Sequence, residues 1–168
     1  EFDPHRQVLS RLNQLSTIGH HTDKVDLIIM GGTFTSRPEE YREWFVKRCF
    51  DAMNNINEDK YKIEPKEKSS NPDVELAKAQ AINESSPHRN VGLVIETRPD
   101  EINPDEIQWL RHLGVTKVQM GAQSFDDHVL EINKRGHDVE CTRKATALLR
   151  AAGFKIVQIG RASCRERV

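Results

Sequence analysis

At 168 residues the chain is long enough for one domain of ordinary size. With 30% charged and 36% hydrophobic residues it is polar for a globular domain, yet not polar enough for disorder throughout. Its 25 basic residues nearly cancel its 26 acidic ones, so no long-range positive field marks a nucleic-acid partner, and any such partner must be met by a local patch. The apolar runs at residues 27–30 and 91–95 are far too short to span a bilayer. Cys49, Cys141 and Cys164 lie too far apart for a disulfide framework or a zinc ribbon. The composition reads as a soluble, cytoplasmic, mixed α/β piece with no membrane attachment.

Residues 4–18 carry Val8, Leu9, Leu12 and Leu15 at helical spacing, closed by Gly19. Residues 25–30 form an apolar run of the buried-strand type and end at Gly31-Gly32. Residues 38–53 read as a helix opened by Pro38, with Glu39 and Glu40 behind it and Trp44, Phe45, Cys49 and Met53 on one face. Residues 54–73 hold few apolar side chains and many charges, the pattern of a mobile loop or insertion. Asn71-Pro72 suits the start of a helix that runs to about Ser85.

Residues 91–95 form the second strand, ending at Glu96-Thr97-Arg98-Pro99, and Asn103-Pro104 starts a short helix that Gly114 stops. The third strand covers residues 115–120 and ends at Gly121-Ala122-Gln123-Ser124. One or two helical segments follow between residues 126 and 152, with Leu130, Ile132, Ala145, Leu148 and Leu149 as core candidates. Gly153 stops them, and residues 154–157 form the fourth strand. Strands that alternate with helices imply a parallel sheet covered on both faces. Four strands cannot close an eight-stranded barrel, so the expectation is either a small open sheet or, as the abrupt chain ends favour, an interior slice of a larger (β/α) barrel.

The last ten residues, 159–168, show neither a period of 2 nor of 3.6. They match a common short-read sequencing adapter translated in frame, so the expectation is a partial barrel over residues 1–158 followed by a non-native tail over 159–168.

Three polar groups fall at three successive strand ends. Gly31 and Gly32 let backbone amides approach a ligand, and Thr33 adds a hydroxyl, although the third glycine of a dinucleotide fingerprint is missing. Glu96 suits ribose hydroxyls or an ammonium group, or else forms an ion pair with Arg98 or a neighbouring Lys. Gln123 can donate and accept at once, as an amino-acid or nucleoside ligand requires. Twelve residues later, Arg135 can clamp a carboxylate bidentately. His137 is either a supporting partner or an ordinary loop histidine, the second being the commoner case. Cys49 and Cys141, on helices with apolar neighbours, read as structural thiols. Residues just past the ends of neighbouring parallel strands share one crevice, so the three groups point to one site.

The run Val25-Asp26-Leu27-Ile28-Ile29-Met30-Gly31-Gly32-Thr33-Phe34 resembles the radical S-adenosylmethionine (SAM) domain of the Elongator catalytic subunit family and its single-chain prokaryotic members. So do Ala81-Ile82-Asn83-Glu84, Ile95-Glu96-Thr97-Arg98-Pro99-Asp100, Gly121-Ala122-Gln123-Ser124, Asn133-Lys134-Arg135-Gly136-His137 and the run at residues 151–156. The resemblance covers residues 2–158. It implies a partial TIM-like barrel of the radical SAM type and a tRNA-modifying enzyme that uses acetyl-CoA to install a carboxymethyl-type group at C5 of the wobble uridine. In that family a 4Fe–4S cluster cleaves SAM reductively to a 5′-deoxyadenosyl radical, which takes hydrogen from the acetyl methyl group. Gly31, Gly32 and Thr33 match the turn that meets the methionine end of SAM. Glu96, Gln123 and Arg135 match the strand-end residues that contact it.

The cluster cysteines of the family are expected upstream of Glu1, and its acetyltransferase domain is not represented in these residues. The expectation is therefore a fragment inactive by itself, with tRNA, acetyl-CoA and, in a eukaryote, Elongator-like subunits as partners of the parent protein. The Gly-x-Gln-Ser-Phe run with Arg-Gly-His also resembles coproporphyrinogen-oxidase-type radical SAM enzymes. A non-catalytic tRNA-binding module is the reading from another class.

Overall fold

A computed structural model describes residues 2–54 and 72–160. In chain order the elements are α1 (Pro4–Thr17), β1 (Lys24–Ile29), α2 (Glu39–Met53), α3 (Pro72–Asn83), β2 (Arg89–Thr97), α4 (Pro104–His112), β3 (Lys117–Gln123), α5 (Asp127–Ile132), α6 (Val139–Ala151) and β4 (Lys155–Gly160). The strands form one parallel sheet in the order β1-β2-β3-β4, alternating with helices, so the expected α/β class is the observed one. The chain packs as two units, one of residues 1–27 and 38–91 and the other of residues 28–37 and 92–168.

In the first unit, α1 begins at a cap written in the sequence. The Asp3 carboxylate accepts from the His5 N–H at 3.0 Å, with Pro4 in the first turn. The same carboxylate receives Arg48 of α2 through Nη2 at 2.8 Å and 3.0 Å and through Nε at 3.3 Å. Burial pushes the Asp3 carboxyl upward, but the Arg48 and His5 hydrogen bonds outweigh it and hold it below its ordinary value. At the other end of α2, Asn83 donates to Asn54 Oδ1 at 2.8 Å and to the His88 carbonyl at 3.1 Å, and accepts from the Asn90 N–H at 2.7 Å. Asn54 in turn donates to the Ala79 carbonyl at 2.9 Å. One buried amide thus ties the ends of α2 and α3 to the start of β2.

Two sequence expectations for this part change. The core side of α2 is Val46, Cys49, Phe50 and Met53, while Trp44 is 42% exposed and meets Tyr41 as a tilted ring pair with 5.6 Å between centroids. Of the four apolar residues expected to bury α1, Leu12 alone is buried, beside Pro4 and His5. The loop or insertion expected at 54–73 lies outside the described residues over 55–71; Asn54 closes α2, and Pro72 opens α3.

The second unit contains the core of the sheet. Leu93, Val94 and Ile95 of β2 are fully buried, as are Val118 and Met120 of β3, with Ile95 paired to Val118 and Thr97 to Met120. Leu110 and Leu113 of the α4 region, Leu130 of α5 and Ala145 and Leu149 of α6 complete this core. Each large apolar side chain buried here contributes about 1.5–3 kcal/mol of transfer free energy. Asn103 caps α4 through the Glu106 N–H at 2.9 Å. Arg111 reaches the Ala152 carbonyl and lies 4.4 Å from the Phe154 ring centroid, tying α4 to the turn before β4.

The continuously buried strand expected at residues 25–30 is found only in part. Burial in β1 alternates, with Ile28 and then Met30 exposed and Ile29 buried, because a single face of this edge strand is covered. Two helices, α5 over Asp127–Ile132 and α6 over Val139–Ala151, lie in this stretch, and Ile132 and Leu148, expected in the core, are exposed. Strand β4 includes Ile159 and Gly160, which the expected tail would have claimed; residues 161–168 lie outside the described residues. Among the described residues, no helix is long and apolar enough to cross a membrane.

Candidate functional site

The strand ends of the second unit bring the expected residues onto one rim. Gly31 and Gly32, directly after β1, have φ of +98° and +69°, values that side-chain-bearing residues seldom adopt. A Cβ at either position would meet nothing within 4 Å, so their backbone is open on the side a side chain would occupy. The Gly31 N–H donates to Glu96 Oε2 at 3.4 Å, joining the ends of β1 and β2. Thr33 precedes a single 3-10 turn, Phe34–Ser36, and its carbonyl accepts from the Ser36 hydroxyl at 2.8 Å. Beneath this turn the Thr35 and Thr97 hydroxyls share a buried hydrogen bond of 2.7 Å.

Glu96 is half-buried, and Arg98 turns away from it. The Arg98 guanidinium instead grips Asp100 bidentately, with Nε at 2.9 Å, so the expected alternative of a Glu96–Arg98 ion pair is not what forms. Glu96 thus keeps its carboxylate beside the glycine turn.

At the end of β3, Gln123 is a non-glycine residue at φ +66°, and the Ser124 N–H reaches back to the Ala122 carbonyl at 2.8 Å. This is a three-residue turn with a left-handed centre, a rare and strained conformation. The pairing of β3 with β4 shifts at the same place, between Met120 and Gln123. The Gln123 side chain folds back so closely over Gly121 that a Cβ there would stand 2.8 Å from Nε2.

The segment from Asn133 to His137 returns to this rim. Helix α5 ends with the Lys134 N–H on the Glu131 carbonyl and the Arg135 N–H on the Leu130 carbonyl, with Lys134 left-handed at φ +50°. Arg98 Nη2 donates to the Arg135 carbonyl at 3.2 Å, and a Cβ at Gly136 would stand 3.0 Å from that same nitrogen. Arg135 Nε is buried without a hydrogen-bond partner. The His137 side chain is 0% exposed, its Nε2 lies 3.3 Å from the Ala122 carbonyl, and its Nδ1 lies 4.0 Å from Asp100. His137 does lie in the loop between α5 and α6, but as a buried side chain rather than an exposed one. Sequence reasoning also missed Arg98 and Asp100 as the clamp on this segment, although Gly136 before a histidine was a usable signal for close approach.

Cys49 is buried and its thiol is pushed up to about 12, chiefly by burial; Cys141 is also raised, first by burial and then by Asp100 and Asp138. Among the described residues, no three His, Cys, Asp or Glu side chains gather as a metal site.

The fold is a parallel α/β sheet alternating with helices, and the chain belongs to the radical SAM superfamily, whose family model matches residues 4–160. It is similar to proteins named tRNA uridine(34) acetyltransferase. It is 48% identical over 155 residues to that of Methanocaldococcus infernus, covering 92% of this chain and 26% of the relative. It is 41% identical over 156 residues to that of Dehalococcoides mccartyi, covering 93% and 31%. Elongator complex protein 3 of Drosophila melanogaster is 35% identical over 156 residues, covering 93% and 26%. The solved structure of archaeal Methanocaldococcus infernus Elp3 with an N-terminal deletion superposes with a TM-score of 0.82 at 46% identity, covering 96% of this chain and 34% of that one. The chain thus spans about a quarter to a third of the length of these curated relatives.

Proposed function

We propose that this chain is the SAM-binding part of an enzyme that modifies the wobble uridine of tRNA, using acetyl-CoA to install a carboxymethyl-type group at C5. The observation that carries the reading is the placement of Gly31, Glu96 and Gln123 at the ends of successive parallel strands, with the segment that holds Arg135 packed back against the ends of β2 and β3. The names of the relatives supply the substrate class, and the remainder of the parent protein would contribute acetyl-CoA binding, tRNA contacts and, in a eukaryote, Elongator-like partners. A cytoplasmic location belongs to the same reading.

The residues present fit SAM by their donor set. SAM carries an ammonium, a carboxylate, ribose hydroxyls and an adenine. The rim offers a carboxylate in Glu96, a buried guanidinium Nε without a partner in Arg135, a two-way amide in Gln123 and open backbone at Gly31 and Gly32, with Thr33 beside them. Arg135 would hold the carboxylate, Glu96 the ammonium or the ribose hydroxyls, and Gln123 would orient the nucleoside end. When bound beside a reduced 4Fe–4S cluster, SAM supplies hydrogen-atom abstraction, and the protein's contribution is placement. The described residues do not fit the cluster itself, since Cys49 is a buried, protonated thiol and Cys141 has no neighbouring thiol among them.

The test is anaerobic incubation of the full-length protein with reductant, SAM, acetyl-CoA and tRNA, followed by nucleoside mass spectrometry. The proposal expects a carboxymethyl-type adduct confined to the wobble uridine. SAM cleavage with no change in any tRNA nucleoside would overturn it.

A further inference from the structure

We propose that His137 is a positioning residue that locks the left-handed turn at Gln123, an inference that rests on the reading of Gln123 as a cofactor contact. The Ala122 carbonyl is the acceptor that closes this turn, receiving the Ser124 N–H at 2.8 Å. The same oxygen faces His137 Nε2 at 3.3 Å, and since a carbonyl can only accept, Nε2 is the donor. The imidazole is enclosed, with its side chain 0% exposed, and Asp100 flanks its Nδ1 at 4.0 Å.

Asp100 is held in its turn by Arg98, which also donates to the Arg135 carbonyl at 3.2 Å. Arg98 therefore fixes both the carboxylate beside the ring and the backbone two residues before it. The lock is built from three segments of one packed unit: the end of β2, the end of β3 and the segment after α5.

A lock is needed because Gln123 is not glycine. At φ +66° its backbone is strained, and relaxation to an extended φ would swing the side chain toward the opposite face of the strand. Gly121 shows how specific the present placement is, because any Cβ there would stand 2.8 Å from Gln123 Nε2. His137 thus acts on the ligand site through Ala122 and Gln123, without touching the ligand.

The experiment compares wild type with His137→Leu, His137→Gln and Gln123→Ala in the full-length protein. It reads two quantities: the hydrogen-exchange rate of the Ser124 amide without ligand, and SAM affinity without reductant. His137→Leu fills the same space but donates nothing, so it should speed Ser124 exchange and weaken SAM binding by roughly tenfold. His137→Gln, whose side-chain amide can reach the same carbonyl, should return both toward wild type. Unchanged Ser124 exchange in His137→Leu, or equal impairment in His137→Gln, would overturn the lock. Wild-type SAM affinity in Gln123→Ala would overturn the assignment of Gln123 to the ligand site, while the Ser124 exchange would still decide the lock. If His137→Leu is too unstable to purify, the Gln123→Gly/His137→Leu pair replaces it. Glycine takes a left-handed φ without strain, so recovered stability supports the lock, and instability as severe as that of His137→Leu contradicts it.

Discussion

The Gly31 backbone N–H donates to Glu96 Oε2 across 65 residues of sequence, at 3.4 Å, so the turn after β1 and the carboxylate after β2 meet at one point. Replacing Glu96 by alanine should weaken SAM binding by about 1–3 kcal/mol, the usual cost of leaving a partner group unpaired. Because Glu96 is only half-buried, thermal stability should change little. Titration calorimetry beside a melting curve checks this; a large drop in melting temperature with unchanged affinity would make Glu96 a structural residue.

Gly121→Ala should act on the ligand site rather than on the core. The added methyl would collide with Gln123 Nε2, the movable end of a side chain, at 2.8 Å. The amide should swing away, lowering SAM affinity while the melting temperature falls by only a few degrees, the equivalent of about 1 kcal/mol or less. Full-strength binding in this variant would show that the folded-back Gln123 rotamer is not the binding one.

Much of this site could be read in the sequence, and the parts that could not have specific causes. Glycine pairs and lone polar residues after apolar runs mark strand ends, so Gly31, Glu96 and Gln123 stood out. The left-handed backbone of Gln123 has no such marker, because glutamine carries no preference for that conformation. The burial of His137 depends on a clamp between Arg98 and Asp100 that spacing alone does not show. In α2, Cys49 and Met53 of the expected face are in the core, whereas its aromatic end is not. Trp44 and Tyr41 meet as a tilted ring pair at the surface while Val46, Cys49, Phe50 and Met53 make the core. For β1, an unbroken apolar run suggested two covered faces, whereas an edge strand needs only one.

Asn83 should be among the least replaceable residues outside the site. Asn83→Leu would remove the acceptor of the Asn90 N–H and the donor to the His88 carbonyl, both part-buried hydrogen bonds worth about 0.5–1.5 kcal/mol each. Chemical denaturation should show a lower midpoint with an unchanged slope; a midpoint equal to wild type would contradict this role.

Two shifted groups contribute to the pH dependence of stability. Asp3 has a lowered carboxyl, so its contribution is present above its unfolded value of 3.8 and is lost as pH falls through the lower folded value. Cys49 is raised from 9.0 to about 12, so its contribution is present below pH 9 and is lost as pH rises toward 12. Asp3→Asn should flatten the acid limb, and Cys49→Ala the alkaline limb, of stability measured against pH. A limb that keeps its slope in the corresponding variant would remove that group as its cause.

The most direct test of the central claim measures 5′-deoxyadenosine formed from SAM by the reduced full-length protein, for wild type, Glu96→Ala and Gln123→Ala, beside the melting temperature of each. A rim that holds SAM predicts at least a tenfold loss of turnover at limiting SAM in both variants, with melting temperatures near wild type. Wild-type turnover in both would contradict it.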